Sequence, residues 1–273
     1  THASPPASGL DPGFPDYETR NKTRLAGAIG ISYQAWNHGA DEAVVFADYR
    51  NTFKPAALDF GPDTTPPVLE PETARSYELG LKGQLLDGRF EYDTSLFYLH
   101  FNNLVVQSAP GPGAFGPSLE NAGSSRFKGL EIETRYRLRP DLKLALNYSY
   151  HDSRFISFTD RSEGDVSGKQ QTLSPHALAA AGLLYTPGQG LYGSLLANYV
   201  GNRFLKLLND GTRARSYVTL DATLGYHWRR YGASLSGYNL GNAREPVTAS
   251  EFGDSSLYLL PARSLVFSLG AEL

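Results

Sequence analysis

The lengths of the connections between strand-like segments constrain this chain more than any other feature. Segments in which apolar and polar residues alternate, the period of a pleated strand with one buried face, recur from Arg24 onwards. The clearest is residues 76–107. Tyr77, Leu79, Leu81, Gly83 and Leu85 fall on one side, and Ser76, Glu78, Gly80, Lys82 and Gln84 on the other. Leu86-Asp87-Gly88-Arg89 supplies a tight turn in which Gly88 suits a positive φ. The chain returns through Phe90, Tyr92, Thr94, Leu96 and Tyr98 against Glu91, Asp93 and Ser95. Beyond Gln107, the run Ser108-Ala109-Pro110-Gly111-Pro112-Gly113 cannot continue a ladder.

The same design repeats along the chain. Strands are expected at about residues 24–36, 43–53, 130–138, 142–150, 177–185, 191–204, 217–228, 231–235 and 264–273, which with the hairpin makes roughly eleven. Short turns fall at residues 37–41, 139–141, 186–190 and 229–230, and long connections at 54–72, around 110–117, and at 156–174, 206–214 and 241–261. Alternation is weakest in 177–185 and 191–204, where alanine and leucine fall on both faces.

A soluble meander has no reason to collect its long loops at one end, whereas a barrel of the bacterial outer membrane has short periplasmic turns and long extracellular loops. Periodicity alone does not separate this from a soluble binding barrel with its apolar face inward. Three signs together favour lipid. The polar face carries many charges, the other face is Leu, Ile, Val and aromatic, and aromatic residues (Trp36, Phe53, Phe90, Tyr148, Tyr150, Trp228, Tyr231) recur near strand ends as an interfacial girdle requires. No apolar run approaches the ~18 residues of a membrane helix. The chain has neither Cys nor Met, which removes disulfides and thiolate metal sites. A net charge of -3 without a basic cluster offers nothing to a phosphate backbone, so no nucleic-acid partner is expected.

If the last of an odd number of strands runs toward the periplasm, the first runs the same way and Thr1 lies outside the cell, whereas single-chain bacterial barrels have an even count. An open sheet also leaves two edges of unpaired backbone groups in hydrocarbon, at a cost on the order of tens of kcal/mol. The expectation is an all-β, antiparallel transmembrane β-barrel wall, about eleven strands that another segment or chain completes.

Particular motifs agree. Glu70-Pro-Glu-Thr-Ala-Arg-Ser-Tyr-Glu-Leu-Gly-Leu-Lys82 with the turn Leu86-Asp-Gly-Arg-Phe90, then Asn121-Ala-Gly123 and Lys128-Gly-Leu-Glu-Ile-Glu133, then Tyr199-Val-Gly-Asn-Arg203, residues 217–226 and Tyr238-Asn-Leu-Gly-Asn242, follow one another in order. In these residues the chain resembles the C-terminal half of a TonB-dependent outer-membrane receptor, over about residues 24–273. It departs at the end, with Leu273 where such barrels usually finish in Phe or Trp. The resemblance implies a barrel of about 22 strands, with residues 1–23 the remnant of an extracellular loop and 24–273 the C-terminal half of the barrel. It also implies partners: the bilayer and lipopolysaccharide, the N-terminal half and plug, TonB acting through the plug, and a small metal chelate. The activity implied is uptake of a scarce nutrient, most often a ferric siderophore, without chemistry and without a cofactor.

Ligand contacts would then lie in the long loops and upper lumen. Candidates are Phe115, Arg154, Arg203, Arg213 and Arg215, because aromatic and guanidinium groups suit iron-catecholate or carboxylate ligands. The plainer reading of each is a solvated loop residue or a lipopolysaccharide contact. His100, His151, His176 and His227 sit in separate strands without ligand spacing, so no metal site is expected. Carboxylate pairs such as Glu131 and Glu133 suit bonding to arginines of a plug or of neighbouring strands rather than acid-base work. Ser149, His151 and Asp152 do not form a triad, because strand neighbours point to opposite faces. The competing whole-chain reading is a complete twelve-stranded barrel with a further strand hidden in residues 1–23, serving as an autotransporter translocator or outer-membrane hydrolase. A soluble binding barrel is the third.

Overall fold

A computed structural model describes residues 23–55, 69–108, 118–160, 163–211, 213–250 and 256–271. Eleven long strands form one antiparallel sheet in chain order. They are β1 Gly27–His38, β2 Asp41–Lys54, β3 Glu72–Leu85, β4 Phe90–Ser108, β5 Ser118–Arg139, β6 Leu142–Ser157, β7 Ala177–Tyr185, β8 Gly190–Val200, β9 Tyr217–Trp228, β10 Tyr231–Tyr238 and β11 Ser264–Ala271. Each pairs only with its sequence neighbours, and among the described residues no ladder joins β1 to β11. The sheet is therefore open, with a free edge on each side. No twelfth long strand occurs among the described residues, so nothing there closes the ring of a self-contained twelve-stranded barrel.

Residues 39–40, 86–89, 140–141, 186–189 and 229–230 make the connections at one end, and 55–71, 109–117, 158–176, 201–216 and 239–263 those at the other. The asymmetry read from the sequence is present in full. One turn is more strained than expected. Leu86, Asp87 and Gly88 all adopt positive φ, at 60°, 58° and 69°, although only glycine does so freely. The arrangement is held from outside, since the Asp41 carboxylate accepts the Asp87 N–H at 2.7 Å.

Bulges interrupt the ladders only near strand ends, at Gln34/Trp36, Ser124/Ser125 and Arg137/Arg139 within the main sheet. Between them, register carries each face across the sheet without a slip of parity. On one side the row Ile31, Ala47, Leu79, Leu96, Leu130, Tyr150 runs through six neighbouring strands. Further along the sheet, Leu224, Leu235 and Phe267 continue this face. Nothing in the described chain covers it: Ile31 is 72% exposed, Leu79 53% and Leu269 75%. A soluble barrel with its leucines turned inward would bury these side chains, and the described residues do not bury them. On the other side, Glu42, Gln84, Glu91 and Arg135 share one row, and Val44, Lys82, Asp93 and Glu133 the next.

Glycines on the polar face are seats for aromatic rings from the adjoining strand. A methyl group at Gly80 would meet the Phe46 ring at 2.2 Å, at Gly129 the Phe97 ring at 2.7 Å, and at Gly225 the Tyr192 ring at 2.2 Å. Each ring covers backbone that would otherwise have no side chain to pack, the arrangement called aromatic rescue. These pairs lie directly opposite in register.

Several strand boundaries differ from the sequence expectation, among them β6, which runs to Ser157 rather than ending near Tyr150, and β10, which runs to Tyr238. β5 begins at Ser118, well before Leu130, because the small polar residues 121–125 pair with β4 although their composition resembles a loop. β8 ends at Val200 rather than near Phe204. The Gly201 N–H donates to Ala177 O at 2.8 Å, and after it Arg203 and Phe204 pair with Ala214 and Arg213 in a separate two-residue ladder.

A valine at Gly129 would collide with Phe97 and with the Tyr150 carbonyl, which lies 2.0 Å from the added Cβ. Gly129→Val is expected to destabilise the sheet by about 1–3 kcal/mol or more and to lower the fraction migrating as folded barrel on unheated gels. Gly188→Ala, where nothing lies within 4 Å, should migrate as the parent does; equal behaviour of the two variants would contradict the packing described.

Candidate functional site

The end that bears the long loops carries the structure's only cluster of fully buried apolar side chains among the described residues. Ala122, Phe155, Phe158 and Val166 pack together, with Leu104, Val106, Leu207 and Leu208 against them. β4, β5 and β6 extend past the length that spans a bilayer, roughly 9–11 residues, and the loops 158–176 and 201–216 fold onto that extension.

Asparagines fasten the loops there. Asn121 accepts the Glu70 N–H at 2.7 Å and donates to Glu70 O at 3.0 Å and to Asn103 O at 2.8 Å. Glu72 accepts the Val105 N–H at 2.6 Å and pairs with Lys54 at 3.0 Å. Asn209 exchanges bonds with the backbone of Gln170 at 2.7 and 2.9 Å, tying one long loop to the next. Asn239 accepts the Ala243 N–H and donates to Ala243 O and Pro261 O, all at 2.9 Å, while its own N–H reaches Asp221 at 2.7 Å. Asn242 then accepts the Arg263 N–H at 3.0 Å. Asn103, Asn209, Asn239 and Asn242 all have positive φ, a conformation asparagine tolerates because its short amide bonds locally. The motifs Asn121-Ala-Gly123 and Tyr238-Asn-Leu-Gly-Asn242 thus hold loop bases together, a role that spacing alone does not reveal.

The five sequence candidates do not converge. Phe115 lies outside the described residues. Arg203 is buried, 4% exposed; its Nη2 donates to Pro246 O and its guanidinium stacks 5.3 Å from the Tyr217 ring, so it positions two loops. Arg213 is exposed, bonded to Asn202 Oδ1 at 2.6 Å and lying 4.8 Å from the Phe204 ring. Arg215 is exposed two residues further on. Arg154 stands apart on β6, donating to Asp152 at 2.8 Å and to Gly168 O at 3.2 Å. Its register places it on the side of Tyr148 and Tyr150, the apolar side.

The histidines do not gather either. His151 meets the Phe97 ring edge-on at 5.4 Å, His176 stacks on Tyr150 at 5.8 Å, and His227 stacks on Tyr192 at 4.4 Å. No group of three metal-ligating side chains is assembled among the described residues. In the loop 158–176, the Ser167 hydroxyl and amide hold the Asp165 carboxyl below its usual range. A depressed carboxylate contributes at neutral pH and loses its contribution as pH falls through the folded-state value, so this corner loosens only in acid.

At the other end, the polar face forms an open concavity of about 420 Å³ lined by Glu42, Lys82, Gln84, Glu91, Asp93, Glu133 and Arg135 among others. Arg135 reaches both Glu133 and Glu91, the latter at 3.6 Å. The other charged groups of these rows face the same open space.

An uncovered apolar band, a charged opposite face and loops collected at one end define the wall of an outer-membrane β-barrel. Residues 4–240 match the family model described as "TonB dependent receptor-like, beta-barrel". The chain belongs to this family of the bacterial outer membrane. It is 27% identical over 233 residues to the metal-pseudopaline receptor CntO of Pseudomonas aeruginosa, a match that covers 84% of this chain and 31% of that protein. It is 25% identical over 232 residues to the ferrioxamine receptor of Yersinia enterocolitica, covering 83% and 31%. In fold it is similar to the ferric yersiniabactin uptake receptor FyuA from Yersinia pestis, at 23% identity with a TM-score of 0.72 over 89% of this chain and 36% of that one. The chain thus spans about a third of the length of these relatives.

Replacing Asn239 by alanine removes three side-chain bonds at a position 8% exposed. Loss of about 2–4 kcal/mol of local stability is expected, since several buried partners are orphaned together. Hydrogen exchange within residues 240–262 should accelerate while exchange in β3 and β4 is unchanged. Unaltered exchange in that loop would contradict its role as a latch.

Proposed function

We propose that this chain forms the C-terminal half of the barrel of a receptor that takes up a metal chelate, a ferric siderophore, in a TonB-dependent manner. Family membership carries the reading, because this barrel type, and relatives whose names specify ferrioxamine and metal-pseudopaline, are matched over most of the chain. The two free sheet edges support completion of the ring by a further eleven or so strands, with residues 1–23 belonging to an extracellular loop and 24–273 to the barrel. The charged face with its concavity suits a plug that fills the lumen and relays force from TonB.

In this reading the chelate binds among the extracellular loops. Arg213 and Arg215 are exposed at the rim and offer guanidinium groups to an anionic chelate, to which Phe115 would add an aromatic contact; Arg203 holds the loops in place. Arg154 faces the outside of the barrel and leaves the ligand site to the others. Nothing in this scheme calls for catalysis. The twelve-stranded alternative lacks its closing strand among the described residues and has no motif of its own to support it.

The test is uptake of radiolabelled iron presented on hydroxamate, catecholate and carboxylate chelators. Deleting the gene is expected to abolish uptake of one class, and an uncoupler should do the same in the parent strain. Arg213→Ala and Arg215→Ala should each weaken binding of that chelate by about tenfold, the worth of one hydrogen bond to a charged group, with folded migration retained. Uptake of every class unchanged by deletion would overturn the proposal.

A further inference from the structure

Charge is distributed unevenly around the inward side of the sheet. One register row reads Val44, Lys82, Asp93, Glu133 across β2 to β5, and then Asn147, Ala180, Asn198, Thr219 across β6 to β9. The next row toward the short turns breaks at the same place, from Glu91 and Arg135 to Ala145 and Gly182. Among the described residues, β7 to β11 bear no inward lysine or arginine. Their one inward carboxylate, Asp221, is engaged by the Asn239 N–H at 2.7 Å.

The two stretches of wall suit different tasks. On the charged side, the carboxylates of Glu42, Glu78 and Asp93 have no ion-pair partner among the described residues, so they are open to cations of a body that fills the lumen. Pulling such a body away leaves both charges of each pair desolvated, whereas parting it from hydroxyls and amides costs far less. The neutral side suits passage. Its hydroxyls and amides, such as Thr223 and Ser236, whose oxygens lie 2.9 Å apart, donate and accept alike. None is a charge that would trap a charged solute, and conduction needs contacts weak enough to be left. There is room as well: an open concavity of about 210 Å³ lies at Asn147, Ser149, Ala180 and Asn198. With strands about 4.8 Å apart, β7 to β11 span on the order of 20 Å.

The head of the neutral wall carries a second, independent sign. Tyr217 stands opposite the inward Val200, and the Arg203 guanidinium lies 5.3 Å from its ring. Arg203 is 4% exposed. Its Nη2 donates to Pro246 O, but Nη1 is buried without a partner among the described residues. A buried charged donor left open calls for an oxygen from outside those residues. We infer that the chelate crosses the lumen along β7 to β11, received at the head of that wall by Arg203 Nη1, while β2 to β6 keep hold of the plug. This rests on the receptor reading above and adds to it the side on which the passage opens.

The experiment uses the intact receptor in living cells, with single cysteines placed in a chain that has none. Asn198→Cys, Thr219→Cys and Ser236→Cys probe the neutral wall. Val44→Cys and Gln84→Cys probe the other at positions without charge, so the plug keeps its contacts. A hydrophilic maleimide is added from outside together with radiolabelled iron on a hydroxamate, a catecholate and a carboxylate chelator in turn. With the chelator that is taken up, positions 198, 219 and 236 should react about tenfold faster than under an uncoupler, in proportion to the share of receptors with the passage open. Positions 44 and 84 should not change. Maleimide joined to position 198 or 236 should then stop uptake while surface binding of the same chelate is retained, a split that a folding defect does not give. With uptake intact in the parent, faster reaction at positions 44 and 84, at both walls or at neither, or uptake undiminished by the modification, would overturn the path alone. Parent cells that take up iron from none of the three chelators would overturn the receptor reading, and the path with it.

Discussion

Every backbone N–H and C=O within hydrocarbon must find a partner in protein, and this requirement governs the rest of the structure. β2 through β10 meet it from both sides; among the described residues, β1 and β11 meet it from one. Each unpaired group in lipid costs several kcal/mol, far beyond what side-chain contacts on an edge can return. The sheet is thus a wall that requires a continuation, and its stability belongs to the assembled ring.

Because pairing sets the frame, side chains are free to differ between faces. Outward, aliphatic residues and tyrosine maintain one parity across the sheet. Inward, β2 to β6 carry carboxylates, lysines and arginines, while β7 to β11 carry mainly small residues such as Ala180, Ser194, Thr219 and Ser236. The inward rings of Phe46, Phe97 and Tyr192 each lie opposite a glycine. The loops are fixed at their bases by amides rather than by disulfides, which a chain without cysteine cannot form. Asn121, Asn209, Asn239 and Asn242 each satisfy backbone groups that no ladder reaches.

Much of this is legible in the sequence because a strand with two different environments has a period of two, and a turn between antiparallel neighbours has a short length. Hence the eleven strands, the faces of β3 and β4 and the sidedness of the loops follow from residue order. The start of β5 does not, since Asn121 to Ser125 are small and polar whether paired or not, and their partner strand decides. An arginine in a loop is ordinarily solvated, so the burial of Arg203 is hidden in residue order; its partner Pro246 lies 43 residues further on and is brought near only by folding. Arg154 follows the parity of Tyr148 and Tyr150, which residue order shows, yet its place among Arg75, His100 and Arg126 depends on cross-strand register.

The central claim is that the leucine-bearing side of the sheet contacts acyl chains. The absence of native cysteine allows single nitroxide labels at Glu78, Leu79, Leu81 and Lys82 of β3, leaving Gly80 intact beneath the Phe46 ring. Collision of the labels with oxygen and with a water-soluble nickel chelate, measured in outer-membrane vesicles, should follow the side of the sheet each position occupies. Positions 79 and 81 are predicted to favour oxygen, and 78 and 82 the nickel chelate or neither. Labels at 79 and 81 that meet water, or that are shielded from both reagents by protein, would contradict the account.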